Sequence, residues 1–355
     1  MAGQWKGAGA LSVGRYAPGA ALLADGRVLV AGGYSFETGR AHATSEVFDP
    51  ATGAWADGPR LRAGRNFPVV LPLPGGDALF VAGFRADAGT TALADRLDAA
   101  RGRFQPAEAA QEERELCAAT PLKDGRFLIT GGYSTLRRKT LDSAEVYDPK
   151  TGVFTSLPAK LQAARFGHAG ALLPDGRVLI LGGKVLATGE DVLPAELFDP
   201  EKGSFTPTGS LGVGRDRCTA WLLPGGKGVL VAGGSAKEGG TLPARHCEVY
   251  NVETGKFGPG PELVRDRMAH TMTALPDGRV LLVGGWSGSE KATTRQAELW
   301  DPAGRFIPAG LLQAGRHDHA AARLKDGRVL VAGGKEAPAR EGVETPLGAE
   351  VWGPL

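Results

Sequence analysis

The stretch ELVRDRMAH at 262–270 sets Glu262, Asp266 and His270 four residues apart, two carboxylates and an imidazole that are competent ligands for a metal ion. A second constellation runs the length of the chain. Arginines recur at Arg15, Arg65, Arg114, Arg165, Arg215, Arg267 and Arg316, and acids recur at Glu46, Asp95, Glu145, Glu196, Glu248, Glu298 and Glu350. Three residues after each arginine stand Pro18, Pro68, Cys117, His168, Cys218, His270 and His319, with His317 and Asp318 beside the last of them. Guanidinium pairs in a planar, bidentate way with carboxylates, and histidine and cysteine are metal ligands and nucleophiles. What these groups can do depends on the elements that carry them.

Those elements repeat. DGRVLVAGG at 25–33 returns as DGRFLITGG at 124–132, DGRVLILGG at 175–183, DGRVLLVGG at 277–285 and DGRVLVAGG at 326–334, with looser copies at 75–84 and 225–234. The first glycine of the pair is taken as Gly32, Gly83, Gly131, Gly182, Gly233, Gly284 and Gly333, a period of about fifty residues that marks an array of supersecondary units. Unit four reads as four strands: RFGHAGALL, RVLILGG, AELFDP and SFTPTG, punctuated by Asp-Gly, Asp-Pro and Gly turns. No segment keeps a 3.6-residue apolar period, so helix should be nearly absent.

The glycine pair after an apolar strand, the recurring AE(V/L)(Y/F/W)DP and an aromatic about 21 residues beyond the pair resemble the kelch repeat of the bacterial type. Those aromatics are Trp5, Trp55, Phe104, Phe154, Phe205, Phe257 and Phe306. The resemblance covers the whole chain and implies an all-β, seven-bladed β-propeller with four antiparallel strands per blade. The seventh repeat stops at AEVWGPL, before a fourth strand, while GQWKGAGAL near the start matches the fourth-strand pattern. Residues 1–8 are therefore expected to complete the blade formed by 310–355, giving one propeller over 1–355 and satisfying an otherwise exposed sheet edge.

Composition narrows the function classes. Lys plus Arg is 41 against 39 Asp plus Glu, a net charge of +2, so no nucleic-acid or anionic-membrane footprint is expected. No apolar run is long enough to span a bilayer, and the start lacks a signal-peptide pattern. Three cysteines make no disulfide framework, which suits a reducing, cytoplasmic setting. The chain is expected to act as a monomer, with no cofactor and no assigned metal. Gly-x-Ser-x-Gly, His-Glu-x-x-His and Walker patterns are absent.

The short DGR and DP turns share one face of the disc, which reads as structural. The other face carries the segments after the glycine pairs, such as 184–195 and 335–349, and the linkers between repeats. Variable loops on a rigid scaffold are where binding usually resides. The seven arginines either staple the acids of their own blades or reach a ligand at the channel mouth, a use that kelch adaptors capturing acidic peptides imply. The expected function is a non-catalytic scaffold that binds a protein, peptide or small polar ligand there. The alternative is an enzyme of isomerase, cyclase or lyase type, metal-assisted or not. Its site would lie on blades four to seven around His168, Cys218, His270, His317 and His319, since Pro18 and Pro68 are inert.

Among kelch relatives with chemistry, galactose oxidase needs a tyrosine cross-linked to cysteine, for which this chain supplies five tyrosines and three cysteines but no added domain. No functional residue of the kelch sialic-acid mutarotases can be matched. The iron motif of the nitrile-specifier proteins, Glu-x-x-x-Asp-x-x-x-His, is similar to Glu262, Asp266 and His270 but follows the glycine pair in that family. Here it sits in the linker into repeat six.

Overall fold

The computed structural model describes residues 3–236, 242–243, 245–337 and 348–354. Seven four-stranded antiparallel sheets follow one another, each ordered from an inner to an outer strand. In blade four the strands are Ala169–Leu172, Val178–Leu181, Pro194–Asp199 and Ser204–Ser210. A single 3₁₀ turn, Pro74–Gly76, is the only helical element among the described residues.

The second strands are apolar almost throughout, Thr130 of blade three being an exception, because both of their faces are covered. Val28–Ala31, Val178–Leu181 and Val280–Val283 are buried at every residue. A strand covered on both faces reads as a continuous apolar run rather than an alternating one. The core accordingly lies in the seams between blades. Leu71, Leu79 and Val81 of blade two meet Ile129, Tyr147 and Phe154 of blade three. Val28, Val30 and Phe48 of blade one meet Leu330, Ala332 and Val351 of blade seven.

The outer strand of the last blade is Gly3–Ala10, paired antiparallel with Gly348–Pro354 in a register that sets Trp5 opposite Trp352. Both indole N–H groups donate to the carbonyl of Ala309, at 3.1 Å each. The strand thus closes the ring by taking the fourth place in a sheet whose other three members come from the far end of the chain.

The glycine pair performs two jobs. The N–H of the second glycine donates to the carbonyl of the next blade's arginine, from Gly33 to Arg65 at 2.8 Å and onward to Gly334 and Arg15 at 2.8 Å. By this criterion the second position in blade two is Gly83, which donates to Arg114 at 2.9 Å. The first position there is Ala82, held at φ 60°. Gly83 is therefore the second member of its pair and not the first, a shift of one residue that the sequence pattern VAGF conceals.

Two residues after each arginine the backbone turns a left-handed corner: Ala17, Phe67, Leu116, Gly167, Arg217, Ala269 and Asp318 all have φ between 50° and 66°. Peptide groups of neighbouring corners join head to tail. Ala17 donates to Asp318, Phe67 to Ala17, Gly167 to Leu116, Arg217 to Gly167, Ala269 to Arg217 and Asp318 to Ala269, over 2.6–3.2 Å. These six bonds join all seven corners into one main-chain collar on the loop face, open between Phe67 and Leu116.

Candidate functional site at the channel mouth

The recurring geometry of each repeat sends four consecutive residues in three directions. The arginine turns into its own blade. All seven are 0–1% exposed. They meet their acids at 3.1 Å (Arg15–Glu46), 2.5 Å (Arg65–Asp95), 2.7 Å (Arg114–Glu145), 2.8 Å (Arg165–Glu196), 3.2 Å (Arg215–Glu248) and 2.9 Å (Arg316–Glu350), with Arg267–Glu298 closing the set. Nη1 also donates to the first-glycine carbonyl, as from Arg165 to Gly182 at 3.0 Å. The second carboxylate oxygen takes a backbone N–H of the entering linker, as Glu196 does from Gln162 at 2.8 Å. A guanidinium so enclosed joins strand, linker and loop, and this is the stapling arrangement. In this geometry none of the seven guanidiniums reaches the mouth.

The residue three past the arginine enters the seam and packs on the neighbouring blade. The first glycine of that neighbour is where it lands. A Cβ on Gly131 would stand 2.8 Å from His168 Cε1, one on Gly233 2.7 Å from His270 Cε1, and one on Gly284 3.0 Å from His319 Cε1. Cys218 Sγ and Pro18 Cγ take the same place over Gly182 and Gly333. Each histidine bonds through Nε2 to a threonine of the preceding blade: His168 to Thr130 at 2.8 Å, His270 to Thr219 at 2.8 Å and His319 to Thr271 at 2.9 Å. Burial, aided by the nearby arginines, pushes His168 and His270 down to about 3 and His319 well below its ordinary value. Burial likewise pushes the Cys218 thiol up to about 12, so it is no thiolate at neutral pH.

His168, Cys218, His270 and His319 therefore lie in separate seams and do not assemble one site, contrary to the expectation of a shared cluster. The ELVRDRMAH triad also disperses. Glu262 turns to His246 at 3.0 Å and Arg245 at 3.4 Å, Asp266 accepts from Ser287 at 2.9 Å and Ser289 at 2.5 Å, and His270 faces Thr219. Among the described residues no group of three or more His, Cys, Asp and Glu side chains could hold an ion.

What does converge on the mouth is the pair of residues between arginine and seam. The first of them bridges to the residue after the glycine pair: Tyr16 to Tyr34, Glu115 to Tyr133, Phe166 to Lys184, Met268 to Trp286 and His317 to Lys335. Paired residues in an antiparallel bridge project to the same side. The second is the left-handed corner itself. From there Arg217 reaches Asp318 in an ion pair, and its guanidinium carbon lies 5.7 Å from the centre of the Phe67 ring. Asp318 also accepts from the Tyr16 hydroxyl at 2.8 Å and lies 2.7 Å from His317 Nδ1. Tyr16 stacks edge-on with Phe67 and His317 at 5.5 and 5.6 Å. These contacts link blades one, two, five and seven across the mouth. Of the histidines and cysteines singled out from sequence, His317 alone belongs here; Tyr16, Phe67, Arg217 and Asp318 complete the cluster. The signal that could have found them is variability: in these two registers identities change in every blade, while the arginine beside them never does.

The loop face bears small two-stranded hairpins in blades one to six, such as Tyr34–Ser35 with Arg40–Ala41. The corresponding loop of blade seven falls mostly on 338–347, outside the described residues, as do 237–241 and 244 in blade five.

A kelch-motif model matches residues 15–62 and 116–160, which span most of repeats one and three. No curated protein matches the chain. Among solved structures, a fungal alcohol oxidase in complex with copper superposes with a TM-score of 0.78 at 19% identity, over 100% of this chain and 77% of that one. At that identity the likeness is one of fold.

Proposed function

We propose that this seven-bladed β-propeller, two of whose repeats match a kelch-motif model, is a non-catalytic binding scaffold whose ligand sits at the channel mouth on the loop face. The ligand class is a protein, a peptide or a small polar molecule. One observation carries the reading: the repeat holds its arginines and the second glycine of each pair constant but varies the two registers that meet at the mouth, where Tyr16, Phe67, Arg217, His317 and Asp318 form one contact network. A mixture of half-buried rings and charges fixed on a rigid rim suits orientation of a ligand with both apolar and polar parts.

The test is a screen of peptides and small polar molecules by ligand-observed NMR, followed by three variants. Phe67→Ala and Arg217→Ala should each weaken a hit by about tenfold or more, in line with removing a buried anchor. Lys150→Ala, in an exposed turn of the opposite face, should leave it unchanged. A hit that follows Lys150 and ignores both mouth variants would overturn the proposal.

The catalytic alternative narrows to one pair. His317 Nδ1 faces Asp318, and burial together with Arg217 and Lys335 pushes the imidazole down to about 4, so it is neutral at pH 7 but a weak base there. A bound molecule transformed over time by the parent protein and left intact by His317→Ala would establish that reading. Binding without turnover in both would end it.

A further inference from the structure

The mouth divides by chemistry. On one side its cations are engaged: Arg217 and Asp318 pair, Lys184 Nζ lies 3.6 Å from Asp216, and Lys335 Nζ lies 3.6 Å from the centre of the Phe36 ring. On the other side, over blades two and three and at Phe166 of blade four, the same registers hold Asn66, Phe67, Phe84, Glu115, Leu116, Tyr133 and Phe166, one carboxylate among neutral groups.

Glu115 is half-buried and has no hydrogen-bond or ion-pair partner among the described residues. Its backbone bridges to Tyr133 through bonds of 3.0 and 2.9 Å, so the two side chains leave the sheet together. Adjacent members of its register lie close: Tyr16 and His317, which occupy it in blades one and seven, have ring centres 5.6 Å apart. In blades two and four the neighbours of Glu115 are Asn66 and Phe166, and the Asn66 Oδ1 is buried without a partner. The corner of blade four is Gly167, and the Arg217 Cγ of blade five lies 3.3 Å from the place a Cβ would take there.

A carboxylate set among rings with no countercharge is costly to hold ionised. A ligand that brings a positive charge relieves that cost and gains the attraction of the ring faces as well. The cations that the mouth registers carry in blades four and five are engaged with other groups, Lys184 with Asp216 and Arg217 with Asp318. We propose that Glu115, flanked by Tyr133 and Phe166, receives an organic ammonium group of the ligand, an amine or a quaternary ammonium. This deepens the reading of the mouth as the ligand site and rests on it.

The inference has a proton signature. Burial pushes the Glu115 carboxyl up to about 7, so near neutral pH the empty site is a mixture of acid and carboxylate. A cation favours the carboxylate, and binding at pH 7 releases a fraction of a proton that shrinks toward zero by pH 9.

The experiment uses benzyltrimethylammonium and benzylamine as probes, with benzyl alcohol and benzoate as matched controls, on the full chain. Saturation-transfer NMR reads binding, and calorimetry in two buffers of different ionisation enthalpy reads proton release. Both cations should bind at least tenfold more tightly than benzyl alcohol. Glu115→Gln, which keeps shape and fold, should remove that advantage and the proton release, with an unchanged melting temperature as the check on folding. Equal binding of cations and benzyl alcohol, equal binding of cations by parent and Glu115→Gln, or no binding of either cation overturns the inference. Benzoate or benzyl alcohol binding that Phe67→Ala abolishes and Glu115→Gln ignores would overturn it while leaving the mouth as the ligand site.

Discussion

The imidazole of His270 stands where a side chain on Gly233 would have to be, its Cε1 2.7 Å from the place of a Cβ. The glycine and the histidine belong to adjacent blades, and the same pairing recurs between Gly131 and His168 and between Gly284 and His319. The glycine signature of the repeat is thus half of an inter-blade joint. Its other half is the residue three past the next arginine.

Gly284→Ala should cost about 2–3 kcal/mol, since the methyl would meet the Arg316 carbonyl and the residue keeps a left-handed φ of 61°. Ala82→Gly should do the reverse and stabilise by about 1 kcal/mol, by relieving the left-handed alanine. Urea unfolding reads both. Equal and small effects at the two sites would show that the joint is not tight.

The seam histidines should make the fold acid-sensitive. Their folded values lie below the unfolded value, so the unfolded chain binds more protons and stability falls as pH drops below about 6.5. For His168 and His270, at about 3 in the folded chain, the loss continues down to that pH. Between pH 7 and pH 5 each contributes a loss of about 2 kcal/mol. His270→Cys places there the residue that blade five carries at Cys218. Comparing urea midpoints at the two pH values, the variant should lose about 2 kcal/mol less than the parent. An unaltered pH dependence would contradict this account.

Removing Arg165 should cost about 3–5 kcal/mol because it leaves Glu196 buried without its cation. Arg177→Ala breaks an exposed pair with Asp175 and should cost less than about 1 kcal/mol. Denaturant titration of both variants separates the buried staple from the surface pair. Similar values for the two would remove the distinction.

Deleting residues 1–10 should strip the outer strand from the last blade and bare the edge of Gly348–Pro354. The expected result is a lower melting temperature and concentration-dependent association in light scattering. A monodisperse product as stable as the parent would show that the strand is dispensable.

The period, the four strands and the arginine–acid pairs were legible because each is marked by residue types that repeat. The mouth was not, and the reason is physical. The left-handed corner is occupied by Ala17, Phe67, Leu116, Gly167, Arg217, Ala269 and Asp318, and one glycine in seven leaves no pattern to read. Without knowing that the chain turns there, His168, His270 and His319 look like neighbours of the channel. With the turn in place they face the seams, and the residues just before them face the opening. Ala82 hid in the same way, since alanine rarely takes a left-handed φ. The smaller Cys117 packs against the cluster that contains it, where a histidine stands in blades four, six and seven.

The collar of peptide-to-peptide bonds around the channel engages no side chain. Aperture and chemistry are therefore separate variables in this molecule. The frame of its opening is set by main chain, while the corner residues and those before them supply the side chains that line and cross it. A new ligand preference can be written there one residue at a time without re-machining the frame.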